Sequence, residues 1–414
     1  MKKETVVIGA GIIGLACAAR LTLSGFRVRL IDPNSPGQGA SFGNAGHIAT
    51  EQIEPLASPD TLKKLWSYLR DPDKPLRIRR PYFFQALPWL LRFAWACRPE
   101  RYASGVEQLK LLQSAAWIEL ERLFKLIGSP CLLHQNGNLL LIENAKNQPH
   151  AIQHVNFLNK HHVDAQWLCH RMVLKLTPML NSHITGAIHF PKTGHVSDPY
   201  TVCQALHQFL LDKNVGMVRA TAQAIRATSE GLYIDCRETR IKAHKVVICA
   251  GAWSAKLAAS TGIYAPLETE RGYHLNLNGY QSGLHLPVAS YERKVIISPL
   301  HNATRITGGV EFGGLELPED QSKYGILSKH LKCILPDCDH HTQTRWMGFR
   351  PSLPDHLPII GQHPANPNIL FAFGHQHLGL TLSGITATLI DYLHKGALTP
   401  INLYPFRPER FGTV

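Results

Sequence analysis

The chain opens on a β-branched run, Thr5-Val6-Val7-Ile8, that ends at Gly9-Ala10-Gly11-Ile12-Ile13-Gly14, and a helical pattern continues from Ile13 to Ser24. A second short run, Phe26–Ile31, closes on Asp32, 18 residues after the last glycine. Strand, glycine turn, helix and strand in this order predict a parallel βαβ unit with a phosphate-binding turn. Gly9 serves the tight turn, Gly11 the approach of a pyrophosphate to the N–H groups at the helix start, and Gly14 the packing of helix on strand. Asp32 is placed to accept hydrogen bonds from ribose hydroxyls. The unit fits the ADP half common to FAD and nicotinamide cofactors, so other segments must choose between them.

Two further strand-to-glycine units lie far downstream: Val246-Val247-Ile248-Cys249-Ala250-Gly251-Ala252-Trp253, and Ile369 to Phe373 followed by Gly374-His375-Gln376-His377-Leu378-Gly379-Leu380-Thr381. An extended FAD needs cover from both ends of a chain; a nicotinamide does not. Upstream of them the pattern predicts a long Gly/Ser/Pro-rich loop over 34–58 and a helical third over 60–127 with breaks near Pro72–Pro81 and Pro99. It also predicts a hairpin at Asn136-Gly137 within 132–142, helices at 150–161 and 199–212, and strands at 222–227, 231–236 and 245–248. Antiparallel strands are expected over 266–309, a strand over 369–373 and a last helix over 380–394.

The 414 residues suffice for two to three domains. Lys and Arg number 43 against 30 Asp and Glu, a net charge of +13 that favours anionic partners without indicating a fold. Nine cysteines without a CxxC pair read as reduced thiols of a cytoplasmic chain. Lys2-Lys3 and the apolar residues 6–19 resemble a secretory signal, but the glycines explain that stretch better. The longest apolar stretches are broken by Arg20, Pro88 or Arg92, which excludes a membrane span. Arg77 to Trp95 mixes basic and aromatic residues and suits either a helix packed on a sheet or peripheral contact with the inner face of the cell membrane. No nucleic-acid-binding pattern accompanies the charge, so no nucleic-acid partner is expected.

Five segments resemble the FAD-dependent D-amino acid oxidase/dehydrogenase superfamily from end to end: the first glycine turn with Asp32, Gly39 to His47, Cys249 to Trp253, Trp346-Met347-Gly348-Phe349-Arg350-Pro351, and Gly374 to Thr381. Within it, Glu270 to His274, Arg350 to Asp355 and Gly374 to Thr381 look most like bacterial D-hydroxyproline dehydrogenases. The resemblance implies an α/β fold: a glutathione-reductase-like, FAD-binding Rossmann domain from 1–50, 195–263 and 346–414, with an antiparallel-sheet substrate domain (α+β) from 51–194 and 264–345. It implies FAD contacts from Gly9, Ala10, Gly11, Ile12, Ile13, Gly14, Asp32, Pro33, Ser41, Asn44, Ala45, Gly46, Ala250, Gly251, Trp253, Gly374, His375, Leu378, Gly379, Leu380 and Thr381. The 41–46 loop would lie against the isoalloxazine, and the 374–381 loop would cover its pyrimidine edge under the dipole of the following helix.

The implied reaction passes the Cα hydrogen of an amino acid to flavin as hydride and leaves an imine. The resemblance places the carboxylate anchor at Arg350; Tyr273, His375 and His47 are candidate catalytic contacts, with His274 behind them. The substrate expected is cis-4-hydroxy-D-proline or D-proline. A general D-amino acid dehydrogenase, a sarcosine or glycine oxidase, a flavin-dependent tRNA-modifying protein and a non-catalytic FAD subunit stay open beside it, as does the electron acceptor: quinone, oxygen or a partner subunit. Cys333 to His341 carries metal-type ligands at an atypical spacing, and His375-Gln376-His377 has a metal-like spacing but no third ligand, so no metal is expected.

Overall fold

The structure, a computed structural model, describes residues 3–63, 76–338 and 343–413. Its first sheet has the strand order Gly216–Val218, Arg27–Ile31, Glu4–Ile8, Lys245–Ile248, Asn366–Phe373, Ile359–His363. The first five run parallel, and the last is antiparallel to its neighbour. Val6, Val7 and Ile8 are buried on both faces, which is why this strand is an unbroken apolar run. Helix Ile12–Leu23 covers one face and packs on helices Pro199–Asp212 and Ser383–Lys395. The three-stranded antiparallel sheet Ala222–Thr228, Gly231–Cys236, Arg240–Ala243 contributes its apolar side to the core on the other face.

Helix Pro99–Leu126 lies in the stretch expected to form the substrate domain. Its buried stripe, Leu109, Leu112, Ala116, Leu120 and Leu123, enters the core of the first sheet's helices rather than that of the second sheet. Gly384 permits the crossing, since a Cβ there would stand 2.5 Å from the Leu120 N. Residues on both sides of the boundary expected at residue 51 share this cluster.

Among the described residues the second sheet has nine strands: Gln343–Ser352, Glu268–Asn278, Ala303–Phe312, Val295–Leu300, Val288–Ser290, Asn138–Ile142, Gly186–Phe190 and Gln166–Cys169 in order, with Leu76–Ile78 beside Ala303–Phe312. The strands from Glu268 to Phe312 pair antiparallel among themselves, as the alternation predicts. The sheet as a whole is mixed, because Val288–Ser290 runs parallel to Asn138–Ile142 and Leu76–Ile78 parallel to Ala303–Phe312. Strand Gln343–Ser352 crosses the boundary expected at 345/346, so the chain leaves this sheet only after Ser352. Helix Ser322–Ile334, which the sequence reading missed, packs Tyr324, Leu327 and Leu331 under one face.

The expected hairpin at Asn136-Gly137 does not form. Gly137 does take the left-handed turn (φ 86°), but Leu133–His134 pairs with Gly194–Val196 in a small separate sheet while Asn138–Ile142 enters the large one. The turn is local, whereas the partners of its two arms are not. The last helix begins at Ser383, after a turn in which Leu382 N donates to Leu378 O at 2.9 Å. Part of the expected break at Pro72–Pro81, and Asp339, His340 and His341, lie outside the described residues.

Candidate active site

A cavity of about 520 Å³ runs from the end of Arg27–Ile31 past the first glycine turn to the second sheet and the 374–380 loop. Gly9 bends the chain at φ 107°, and a Cβ on it would sit 2.3 Å from the Cys249 carbonyl oxygen. Gly14 lies against the Gly9 carbonyl, where a Cβ would approach to 1.9 Å. Gly11 differs: its φ of −75° suits any residue, and the nearest atom to its Cβ position is Ser41 Oγ at 3.4 Å. The space over Gly11 is not required by the chain, which is what a cofactor cradle demands.

Asp32 closes this end. Its carboxylate accepts from Ala10 N and Asn34 N, both at 2.8 Å, so it fixes the turn while lining the cavity. Burial raises its pKa, and the two N–H groups oppose that rise. Helix Ile12–Leu23 has no side-chain cap of its own; Ser41 Oγ reaches over to accept from Ile12 N at 2.9 Å. Pro33, Asn44, Ala250, Gly251 and Trp253 line the middle, and Gly374, His375, Gly379 and Leu380 the far end.

Five expected contacts stand behind the wall. Gly14 packs on Gly9, Gly46 N donates to Asn44 Oδ1, Leu378 N donates to His375 O, and Thr381 Oγ1 accepts from Ala49 N. Ala45 is likewise outside the lining. They hold the loops rather than form the surface.

The second sheet contributes a wall that sequence reading named only as a resembling segment: Trp346, Met347, Gly348, Phe349 and Pro351. In the antiparallel register Glu270 lies opposite Arg350, Gly272 opposite Gly348, and His274 opposite Trp346. Side chains alternate across a sheet, so these six share one face. The Trp346 ring lies against Gly43 and Gly348, where a Cβ on either would come within 1.9 Å of a ring carbon, and it stacks on His274. The Arg350 guanidinium rests over Gly272, where a Cβ would stand 2.2 Å from Nη2. Its Nη1 donates to Gly309 O at 3.1 Å; burial lowers its pKa and Glu270 works against that. Arg305, which no motif marks, ties the loop down by donating to the carbonyls of Phe42 and Asn44 from a buried position.

Two expected catalytic residues are placed elsewhere. Tyr273 is on the opposite face of its strand, where its hydroxyl donates to Glu311 Oε1 at 3.1 Å and accepts from Asp320 N at 3.0 Å beside Tyr324. It is a satisfied core tyrosine. His47 is outside the cavity lining, with Nδ1 at 3.0 Å from Gly194 O and Nε2 at 2.8 Å from Glu51 Oε1. Tyr273→Phe should therefore leave KM and kcat within about twofold and lower stability by about 1 kcal/mol, read by denaturant unfolding. A collapse of turnover with unchanged stability would return Tyr273 to the site.

His375 lines the cavity and bonds Thr386 Oγ1 through Nε2 at 3.0 Å, whereas His377 donates from Nε2 to Gln52 Oε1 at 2.6 Å, so the pair diverges. Among the described residues no three metal-type ligands come together. Burial pushes His274, His375 and His377 down to about 3, with Arg305 adding to the effect on His274 and Arg350 on His377. Burial likewise pushes His195 and His394 down to about 4. Unfolded, each binds a proton near pH 6.5; folded, each stays neutral until about pH 3–4, so unfolding takes up protons between those limits. Stability should hold above pH 7 and fall on acidification, by up to roughly 1.4 kcal/mol per pH unit for each such histidine. Urea midpoints at pH 7.5 and 5.5 test this; an equal or higher midpoint at pH 5.5 contradicts it.

Residues 4–393 match the family described as DAO, FAD dependent oxidoreductase. The chain belongs to the DAO family of FAD dependent oxidoreductases. It is 33% identical over 422 residues to a D-amino-acid oxidase of Bradyrhizobium diazoefficiens, covering 99% of both chains. It is 27% identical to D-amino acid dehydrogenase 2 of Ralstonia nicotianae, covering 95% of this chain and 97% of the relative. The fold is similar to that of glycine oxidase from Geobacillus kaustophilus, with a TM-score of 0.75, 22% identity and 99% coverage of each. An L-proline dehydrogenase from P. horikoshii has the same TM-score at 18% identity, over 99% of this chain and 98% of that one. The protein is thus an FAD-dependent oxidoreductase, and the fold is the DAO-type α/β mixture of several sheets.

Proposed function

We propose that this enzyme oxidises the Cα–N bond of a D-amino acid to an imine, with cis-4-hydroxy-D-proline and D-proline as its preferred substrates. The observation that carries the reading is Arg350. It sits on the strand that walls the cavity and has one hydrogen bond, to Gly309 O, among the described residues. The remaining N–H groups of a planar guanidinium suit a carboxylate held through two parallel bonds. Gly272 and Gly348 carry no side chains of their own, and the Arg350 guanidinium and the Trp346 ring lie over them. The named activities of the relatives at 33% and 27% identity support a D-amino acid over other amines.

The cavity residues from Gly9 to Asp32, with Ser41, Asn44, Ala250, Gly251, Trp253, Gly374, His375, Gly379 and Leu380, would hold FAD. FAD, when bound, supplies the hydride acceptor. Arg350 fixes the carboxylate and thereby the direction in which Cα–H points. His375 and His377 stay neutral across the working pH range, so neither repels the nitrogen that acquires positive charge as the imine forms. Trp346, with Gly43 and Gly348 against its ring, fixes the loop over this end. Turnover of D-proline, cis-4-hydroxy-D-proline, D-alanine, sarcosine, glycine and L-proline with a dye as acceptor tests the reading. The two D-prolines should give the highest kcat/KM; a preference for sarcosine or glycine would replace them, and turnover of L-proline alone would overturn the D-specific assignment.

A further inference from the structure

Helix Phe83–Ala96 is apolar on two opposite sides, with Gln85 and Arg92 its sole polar residues. One side, Ala86, Trp89, Phe93 and Ala96, is buried. Trp89 donates from Nε1 to Ser352 O at 3.2 Å, and both Trp89 and Phe93 lie edge-on to His356. The other side is in water: Phe84 is 82% exposed, Leu91 64%, Trp95 47% and Leu87 37%. At about 100° per residue these four occupy a stripe roughly 80° wide. A helix apolar all round is ordinarily enclosed, and a contiguous exposed apolar stripe marks a contact surface.

The rim of the stripe says what covers it. Arg80, Arg92, Arg98 and Arg101 are all exposed, and among the described residues none makes a salt bridge, Asp355 acting on Arg101 only through its field. Two of them touch a ring or backbone: the Arg101 guanidinium lies 3.1 Å from the centre of the Trp95 ring, and Arg92 donates to Pro88 O. Neighbouring Arg77 is already held by Asp320. An exposed apolar stripe with exposed guanidinium groups before, on and after its helix, on a chain of net charge +13, complements a surface that is apolar within and anionic at its edge.

We propose that this face docks on an anionic phospholipid bilayer. Phe84, Leu87, Leu91 and Trp95 enter the boundary between headgroups and acyl chains, and the four arginines meet lipid phosphates. No described helix is long and apolar enough to cross a membrane, so the contact is peripheral. The buried side of the helix touches the end of the Arg350 strand at Ser352, which sets the candidate site next to the membrane face. This inference is independent of which amino acid is oxidised.

Co-sedimentation of the FAD-loaded enzyme with vesicles tests it. Mixed phosphatidylcholine–phosphatidylglycerol vesicles should carry the protein down at low salt, and phosphatidylcholine alone should not. High salt, which shortens the screening length from about 10 Å to about 3 Å, should release it. The triple variant Phe84→Ser, Leu91→Ser, Trp95→Ser should lower the partition coefficient at least about tenfold, while turnover with a soluble dye stays at the wild-type level. Arg92→Glu with Arg98→Glu should abolish the preference for the anionic lipid. Failure of the wild type to bind the mixed vesicles, or equal binding by the triple variant, overturns the proposal. So does a wild-type dimer that the triple variant makes monomeric with no lipid binding by either, since a second copy would then be the occupant.

Discussion

Arg350→Ala is expected to lower kcat/KM for the D-amino acid by about a thousandfold, roughly 4 kcal/mol, while FAD stays bound. That is within the range for truncating one partner of a buried, hydrogen-bonded charge pair, since the substrate carboxylate loses its fork and is left unpaired. Arg350 does not line the 520 Å³ cavity, so the flavin spectrum and its retention on a gel-filtration column should not change. Arg350→Lys keeps the charge but not the two parallel bonds, and should recover only part of the loss. Gly272→Ala reaches the same atoms without replacing Arg350: its Cβ would stand 2.2 Å from Nη2 and push the guanidinium aside. A raised KM in all three variants, with full FAD content, supports the anchor. An unchanged KM in Arg350→Ala removes it.

The second large effect separates two kinds of glycine. Gly11→Val should give a folded protein that has lost FAD, with affinity reduced at least about a hundredfold, because the added side chain fills the cradle and blocks the phosphate from the helix N–H groups. The chain itself tolerates the change, as Gly11 has an extended, negative-φ backbone and only Ser41 Oγ, at 3.4 Å, within reach. Gly14→Ala is the contrast: a Cβ 1.9 Å from the Gly9 carbonyl oxygen forces helix and strand apart, and expression or thermal stability should fail before any cofactor question arises. Equal FAD content in Gly11→Val and wild type contradicts the cradle.

What could be read from the sequence follows the range of each physical cause. The first glycine turn, Asp32 and the helix after them depend on contacts within one βαβ unit, and the cavity forms where they predict it. The place of Tyr273 is not legible in the sequence, because alternation tells which residues share a face but not which face meets the cavity. The register of Glu268–Asn278 against Gln343–Ser352 decides that, and it pairs residues 66 to 84 positions apart. Gly272 and Gly348 were the visible hint, since a glycine pair on facing strands leaves a shelf that a neighbouring arginine can occupy. His47 follows Gly46, whose φ of 79° turns the chain into the small sheet, so nearness in sequence to Asn44 did not bring it to the wall. Arg305 and helix Pro99–Leu126 act through partners hundreds of residues away, and nothing local distinguishes them from an ordinary surface arginine or an ordinary helix.

The most direct test of the account follows the visible spectrum of the FAD-loaded enzyme without oxygen while cis-4-hydroxy-D-proline, D-proline and L-proline are added in turn. The account predicts that a D-proline bleaches the flavin band at wild-type Arg350, that L-proline does not, and that Arg350→Ala needs far more substrate for the same bleaching. A fully loaded enzyme that no D-amino acid bleaches, or one bleached equally by D- and L-proline, would contradict it.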